Sequence, residues 1–223
     1  VPWAYDEEAV DVLRFFTKLK MELLPYIYSS AVETSRTGVP VMRSMVLEFE
    51  NEPGCHYLDR QYMLGEKLLV APIFHENGES SYYLPKGTWT NYLTGEAVEG
   101  GTWRNETHGY LSIPLWVREN TILPVSNGEK RAEDSYGEDI LLKVFHLLEG
   151  AKTIVYEGQS EVLNINMDVK DQKIYCHGVA NHSYQIQFVN RIITKVEGAE
   201  LVNKGSDSLV IVTDPSAPIV CEY

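Results

Sequence analysis

No apolar run in this chain approaches the ~20 residues that a membrane-crossing helix needs. The longest, residues 68–74 and 209–213, have strand length. Positive charge is scarce: 19 lysines and arginines stand against 32 acidic residues, a formal net charge of −13. Such a surface repels nucleic acid and anionic lipid, so neither is expected as a partner. A neutral ligand such as a sugar is compatible with it. Cysteine is sparse and odd in number. Cys55, Cys176 and Cys221 are far apart and read as unpaired thiols in a reducing compartment, which makes a cytoplasmic location the expectation. The N-terminus carries no basic segment with an apolar core, so no signal peptide is read there. Val1 in place of a methionine reads as a cut or processed end, which leaves export of any parent protein open. No G-x-S-x-G elbow, no glycine-rich phosphate loop, no repeat and no low-complexity tract occurs.

What is present suits a globular protein. The apolar fraction is 44%, and the length allows one large or two small domains. A helical segment comes first. Asp6 is a plausible N-cap, with Glu7 and Glu8 in the first turn, where carboxylates favour the positive end of the helix. Apolar residues follow on more than one face, among them Leu13, Phe15, Phe16, Leu19 and Leu23, so neighbours are expected on several sides. Pro25 should kink or restart the helix near Leu24. Gly38 offers a left-handed C-cap, and Pro40 prevents continuation.

From residue 41 the pattern turns to strands, predicted over residues 41–49, 67–74, 80–84 and 88–92. A polar stretch over residues 126–138 reads as a linker or long loop. A second strand series is predicted over residues 140–148, 153–157, 161–168, 173–177, 184–190, 195–197 and 209–213. Its regular spacing suggests an antiparallel sandwich. The division predicted is a helical segment over 1–39, a proximal β-sandwich over 40–125 and a distal β-sandwich over 126–223.

Candidate chemistry is thin, and each candidate has a structural alternative. Glu48 and Glu50 would share one side of a strand and could supply an acid and a base, but they sit in an acidic turn. Asp59 could salt-bridge Arg43 or Arg60 or cap a turn. Cys176, His177 and His182 could offer three metal ligands, but no fourth is evident and the spacing suits a strand end and a hairpin. His56, His75, His108 and His146 are scattered without nearby pairing. Two sequons begin at Asn105 and Asn181. Trp89, Trp103 and Trp116 are possible sugar contacts, since an aromatic face offers flat apolar area to the C–H side of a sugar. The same residues equally fill sandwich cores and domain seams.

Two stretches carry a family resemblance: YLDRQYMLGEKLLVAPI over residues 57–73 and YLPKGTWTNYLTGE over 83–96. They resemble the region that follows the catalytic barrel in family 31 glycoside hydrolases, the α-glucosidase and α-xylosidase family. The motif around Asp59, Gln61, Met63 and Gly65 is the most specific part. PWAYDEE (2–8), LPYIY (24–28), VPVMRSMVLEFENEP (39–53) and LSIPLWVRENTIL (111–123) extend the resemblance. The first of these, with YLDRQYMLG, is similar to the bacterial α-xylosidases. Beyond about residue 127 the resemblance fades.

The resemblance implies a fold that is mainly β: two antiparallel sandwiches after a long kinked helical segment from the end of a (β/α)8 barrel. It implies a retaining α-glycosidase acting on α-linked non-reducing-end sugars with two carboxylic residues and no cofactor. Both carboxylates would precede Val1, so no catalytic residue is assigned to this chain. Its oligosaccharide substrate would be met through the barrel. The helical segment around residues 13–24 would dock on that barrel or drive self-association. A stand-alone carbohydrate-binding protein and a split enzyme, whose barrel comes from a separate chain, are the alternatives.

Overall fold

Asp6 caps the first helix, α1 (Glu7–Glu22), accepting a hydrogen bond from the Ala9 N–H at 2.7 Å. Leu23 ends α1 and starts α2 (Leu24–Thr37), with Pro25 in the first turn, where its missing N–H costs no helical bond. Gly38 closes α2 at φ +79°, its N–H bonded to the Thr34 carbonyl at 2.9 Å. The structure is a computed structural model and describes residues 1–128, 131 and 134–223. The expected linker over 126–138 therefore lies partly outside the described residues.

The strand expected over residues 41–49 does not form. Met42–Arg43 is a two-residue strand, β1, and Met45–Glu48 is one helical turn, α3. Alternation of apolar and polar residues there was too short to distinguish the two periods. The chain then forms β2 (Tyr62–Leu64), β3 (Leu68–Val70), β4 (Glu79–Leu84), β5 (Thr88–Asn91), β6 (Ala97–Glu99), β7 (Thr102–Thr107), β8 (Leu115–Arg118) and β9 (Thr121–Ser126). The C-terminal part forms β10 (Ile140–Phe145), β11 (Gly150–Glu157), β12 (Ser160–Lys170), β13 (Lys173–Ala180), β14 (Tyr184–Val189), β15 (Lys195–Glu197), β16 (Glu200–Lys204), β17 (Asp207–Val212) and β18 (Ile219–Glu222).

Among the described residues the sheets run β1-β2-β3-β8-β5-β6, with a two-stranded β4-β7 ribbon laid across one face, and then β16-β17-β14-β10-β9 against β11-β12-β13-β18-β15. The fold is mainly β, as expected. Among the described residues, pairing is antiparallel except between β10 and β14, which run parallel from Ile140↔Tyr184 to Phe145↔Val189. Strand β9 follows β8 directly but pairs with β10, so the chain passes from one sheet system to the next within residues 118–121.

Three apolar layers hold these sheets. Trp116, Leu69, Met63, Tyr82 and Trp89 fill the space between the first sheet and the β4-β7 ribbon. On the other face of that sheet, Leu68, Val70, Leu115 and Val117 meet Leu23 and Tyr26 of the helices and Leu123, Val125 and Phe145 of β9 and β10. Adjacent residues of β3 and β8 thus enter different cores, which is why these strands read as continuous apolar runs. The third layer lies between the two C-terminal sheets and includes Ile122, Leu142, Ile165, Ile186 and Val210.

Candidate functional site

The family-like motif of residues 59–65 works as a structural joint. Gln61 is buried and pairs with Tyr83 twice: its Nε2 donates to the Tyr83 carbonyl and its Oε1 accepts from the Tyr83 N–H, both at 2.7 Å. The side-chain amide replaces a neighbouring strand for β4. That links residues 57–73 physically to residues 83–96, the two stretches that carry the resemblance. Met63 is fully buried in the same core. Gly65 has φ +61°, and a Cβ there would lie 2.0 Å from the Tyr26 hydroxyl. That hydroxyl donates to the Leu64 carbonyl at 2.7 Å and accepts from the Lys67 N–H at 3.0 Å. Gly65→Ala should therefore destabilise the protein by ~2–3 kcal/mol, through backbone strain and displacement of Tyr26. Urea unfolding checks this, and a change under ~0.5 kcal/mol would refute the clash.

Asp59 is exposed, and Arg43 is paired elsewhere: its Nη1 lies 2.5 Å from Glu48 Oε1. Arg118 reaches the other Glu48 oxygen at 3.8 Å. Glu48 sits at the end of α3, so the side-by-side strand geometry expected for Glu48 and Glu50 does not exist. With two guanidinium partners, Glu48 is engaged as an ion-pair acceptor.

The expected histidine and cysteine cluster also comes apart. Strand periodicity turns Cys176 into the core and His177 out to solvent, where it lies 3.6 Å from Asp168. Among the described residues no group of three or more metal-ligating side chains assembles. Cys176 instead meets Cys221 on the adjacent β18, and this contact together with burial raises its pKa well above the ordinary thiol value. All three cysteines are free and buried.

The expectation that the histidines lack nearby pairing fails at His108. Its Nε2 lies 3.1 Å from Glu106 Oε2 and its Nδ1 lies 2.7 Å from Ser112 Oγ. Glu106 also accepts from the Tyr82 hydroxyl at 2.7 Å and from Arg104 Nε at 2.8 Å. Burial pulls the Glu106 carboxyl upward, but these donors outweigh it and the net shift is downward. Tyr82 in turn accepts from Trp116 Nε1 at 2.9 Å. The array braces the β7–β8 loop against the core. Glu106 and His108 stand two apart on a strand end, and that spacing was the signal available in the sequence.

The tryptophans divide. Trp89 is 1% and Trp116 0% exposed, so neither has a face open to a sugar. Trp89 donates its indole N–H to the Pro85 carbonyl at 2.8 Å. Trp103 is 55% exposed, on the outer face of the β4-β7 ribbon. The sequon residues Asn105 and Asn181 are both exposed.

The junction of helices and sheets is polar and crowded. Lys67 is buried, its ammonium donating to the Ile122 carbonyl at 2.9 Å and to Thr153 Oγ1 at 3.3 Å. Burial lowers its pKa to about 8, against the opposing pull of Glu66. A cavity of about 430 Å³ beside it is lined by the polar face of α2, including Ser29, Ser30 and Thr37. Glu22 of α1 accepts from the Tyr92 hydroxyl at 2.6 Å and from Lys143 Nζ at 2.7 Å, tying both sheet systems to the helix. Arg36 donates to the Tyr156 hydroxyl at 2.6 Å and sits over its ring.

The two helices differ in burial. Helix α2 buries Pro25, Tyr26, Ser29 and Val32. Helix α1 buries none of its residues and exposes Leu13 and Phe15, with Trp3 and Tyr5 exposed just before it.

Comparison with known proteins fits this arrangement. The family profile described as glycosyl hydrolase family 31 C-terminal domain matches residues 38–123. The α-xylosidase XylQ of Lactiplantibacillus pentosus is 34% identical over 185 residues, covering 80% of this chain and 24% of that protein. An α-xylosidase of Emericella nidulans is 38% identical over 134 residues, 56% of this chain and 17% of that protein. The chain therefore spans about a quarter or less of the length of these curated relatives. In structure it resembles the family 31 dextranase of Flavobacterium johnsoniae with a TM-score of 0.86 at 20% identity, over 100% of this chain and 34% of that one. No helix among the described residues is long and apolar enough to cross a membrane. The chain is a glycosyl hydrolase family 31 C-terminal region.

Proposed function

We infer that this chain is the non-catalytic portion of a retaining, α-xylosidase-like glycosidase acting on α-linked non-reducing-end sugars. In this reading its catalytic carboxylates lie outside these residues, and its own part is to brace the catalytic barrel. The organisation that goes with it is a helical segment over 1–39 and two sandwich domains after it. The observation that carries it is the contrast between the helices. Helix α2 is embedded in this chain, whereas α1 leaves apolar side chains uncovered on more than one side, Leu13 and Phe15 among them, beside the exposed Trp3 and Tyr5. An uncovered patch of that kind marks a protein contact. The α-xylosidase relatives, three-quarters or more of whose length lies beyond the match, supply the kind of neighbour that would cover it.

The arrangement of carboxylates favours the same reading. A retaining pair needs two carboxyl groups ~5 Å apart on either side of a sugar. Glu48 and Glu106 are each held by cationic partners, and Asp59 and Glu50 lie exposed. The purified chain should show no turnover of nitrophenyl α-xyloside or nitrophenyl α-glucoside. Addition of a barrel segment from an α-xylosidase relative should produce a complex that Leu13→Asp and Phe15→Asp disrupt. Turnover by the chain alone, or a complex indifferent to both substitutions, would overturn the reading.

A further inference from the structure

The β4-β7 ribbon has one face in the core and one in solvent. Strand periodicity sends Ser80, Tyr82 and Leu84 inward and leaves three directly opposed pairs outside: Tyr83 with Trp103, Ser81 with Asn105, and Glu79 with Thr107. The Tyr83 and Trp103 rings lie 5.8 Å apart at 59°. Tyr83 is fixed from both ends, its N–H by Gln61 and its hydroxyl by Glu52 at 2.7 Å. Beyond the aromatic pair, the other two pairs line a cavity of about 280 Å³, with His75 also on its wall.

We propose that this strip binds a neutral oligosaccharide, one ring stacked on Trp103 and the next held in the groove by Ser81, Asn105 and Thr107. Four residue steps of antiparallel strand separate the two ends of the strip, ~14 Å, the length of a short oligosaccharide. The chemistry selects the ligand. An exposed indole offers flat apolar area to the C–H face of a sugar, while the hydroxyl and amide side chains beside it match its hydroxyls. A purely apolar partner would leave those groups without hydrogen bonds. An acidic glycan or nucleic acid would meet Glu79 and a chain of net charge −13. The aromatics lose little conformational freedom on binding, because they have only two rotatable bonds each. The inference goes beyond the bracing role and does not depend on it, because it needs only this outer face.

The test is calorimetric titration of the 223-residue chain with maltotriose, isomaltotriose and a xyloglucan heptasaccharide, each at millimolar concentration. At least one should bind. Trp103→Ala should weaken that binding at least tenfold and Asn105→Ala at least threefold, while Tyr175→Ala, an exposed aromatic on β13 of the C-terminal sheets, leaves it unchanged. An NMR titration that follows the Trp103 indole N–H keeps the test open if Trp103→Ala folds poorly, since that signal should shift with ligand. No binding of any of the three, or binding that is indifferent to Trp103→Ala with no shift of the Trp103 signal, overturns the proposal. The strip would then be left to a protein neighbour. A failure here leaves the barrel-docking experiment unaffected, so the two readings stand or fall separately.

Discussion

Trp116→Ala should lower the unfolding free energy by about 4 kcal/mol, the scale of a buried tryptophan truncated to alanine. Trp116 is fully enclosed in the core between the first sheet and the β4-β7 ribbon. Three losses add there. The indole leaves a cavity that rigid strands on both sides cannot close. Its N–H no longer reaches the Tyr82 hydroxyl, which heads the network through Glu106 to Arg104 and His108. Arg104, whose guanidinium lies 5.0 Å from the Trp116 ring centroid, loses that contact. Trp103→Ala is the internal control. Its side chain is mostly in solvent, and its stability change should stay within ~0.5 kcal/mol. Urea unfolding of the two variants gives the comparison directly. Equal effects at both sites would contradict the division of the tryptophans into core and surface.

Lys67 should make stability depend on pH in a direction that few buried groups give. In the folded protein, burial lowers its pKa to about 8, while in the unfolded chain it keeps its proton up to the ordinary 10.5. Between those values the unfolded state binds more protons, so the lysine's contribution to stability rises with pH. At neutral pH the enclosed charge costs ~3 kcal/mol relative to high pH, and this cost fades as pH climbs through 8 toward 10.5. Other groups oppose it. Burial raises Cys55 to about 11 and also pushes up Tyr26 and Tyr184, while contact with Cys221 raises Cys176. Those groups stay protonated in the fold but ionise in the unfolded chain, and stability falls as pH passes their ordinary values. The comparison with Lys67→Met isolates the lysine. From pH 7.5 to 9 the wild type should gain on the order of 1 kcal/mol relative to the variant. Urea midpoints at several pH values measure this. Parallel pH profiles would show that the buried ammonium carries no such cost. The absolute stability of Lys67→Met is a separate matter, because it leaves the Ile122 carbonyl without its donor.

Local signals in the sequence were read correctly where the chemistry is local. Asp6 and Gly38 act within one helical turn of themselves, so a cap can be seen without knowing the fold. Pro25 restarts the helix for the same reason. Strands such as Tyr184–Val189 and Asp207–Val212 fall within a residue or two of their expected places, because one buried face imposes a period of two. Polar edge strands carry no such period. Thr102–Thr107 and Glu200–Lys204 have few buried residues and were passed over, and Ile219–Glu222 lies too near the end of the chain to show a pattern. The family resemblance in residues 57–73 was legible as a string of letters. Its physical content, Gln61 bridging to Tyr83 and Gly65 making room for Tyr26, was not.

By itself, then, the sequence determined the helix ends, the β-rich character and the family. Each depends on neighbours along the chain or on matching residues in order. Only the tertiary structure decided which face of each strand a second layer covers. That choice buried Trp89 and Trp116 and left Trp103 in solvent, enclosed the ammonium of Lys67, and turned Cys176 away from His177. It also embedded α2 while burying no residue of α1. Burial is set by what packs against a residue from far away in the sequence, and no local pattern records that.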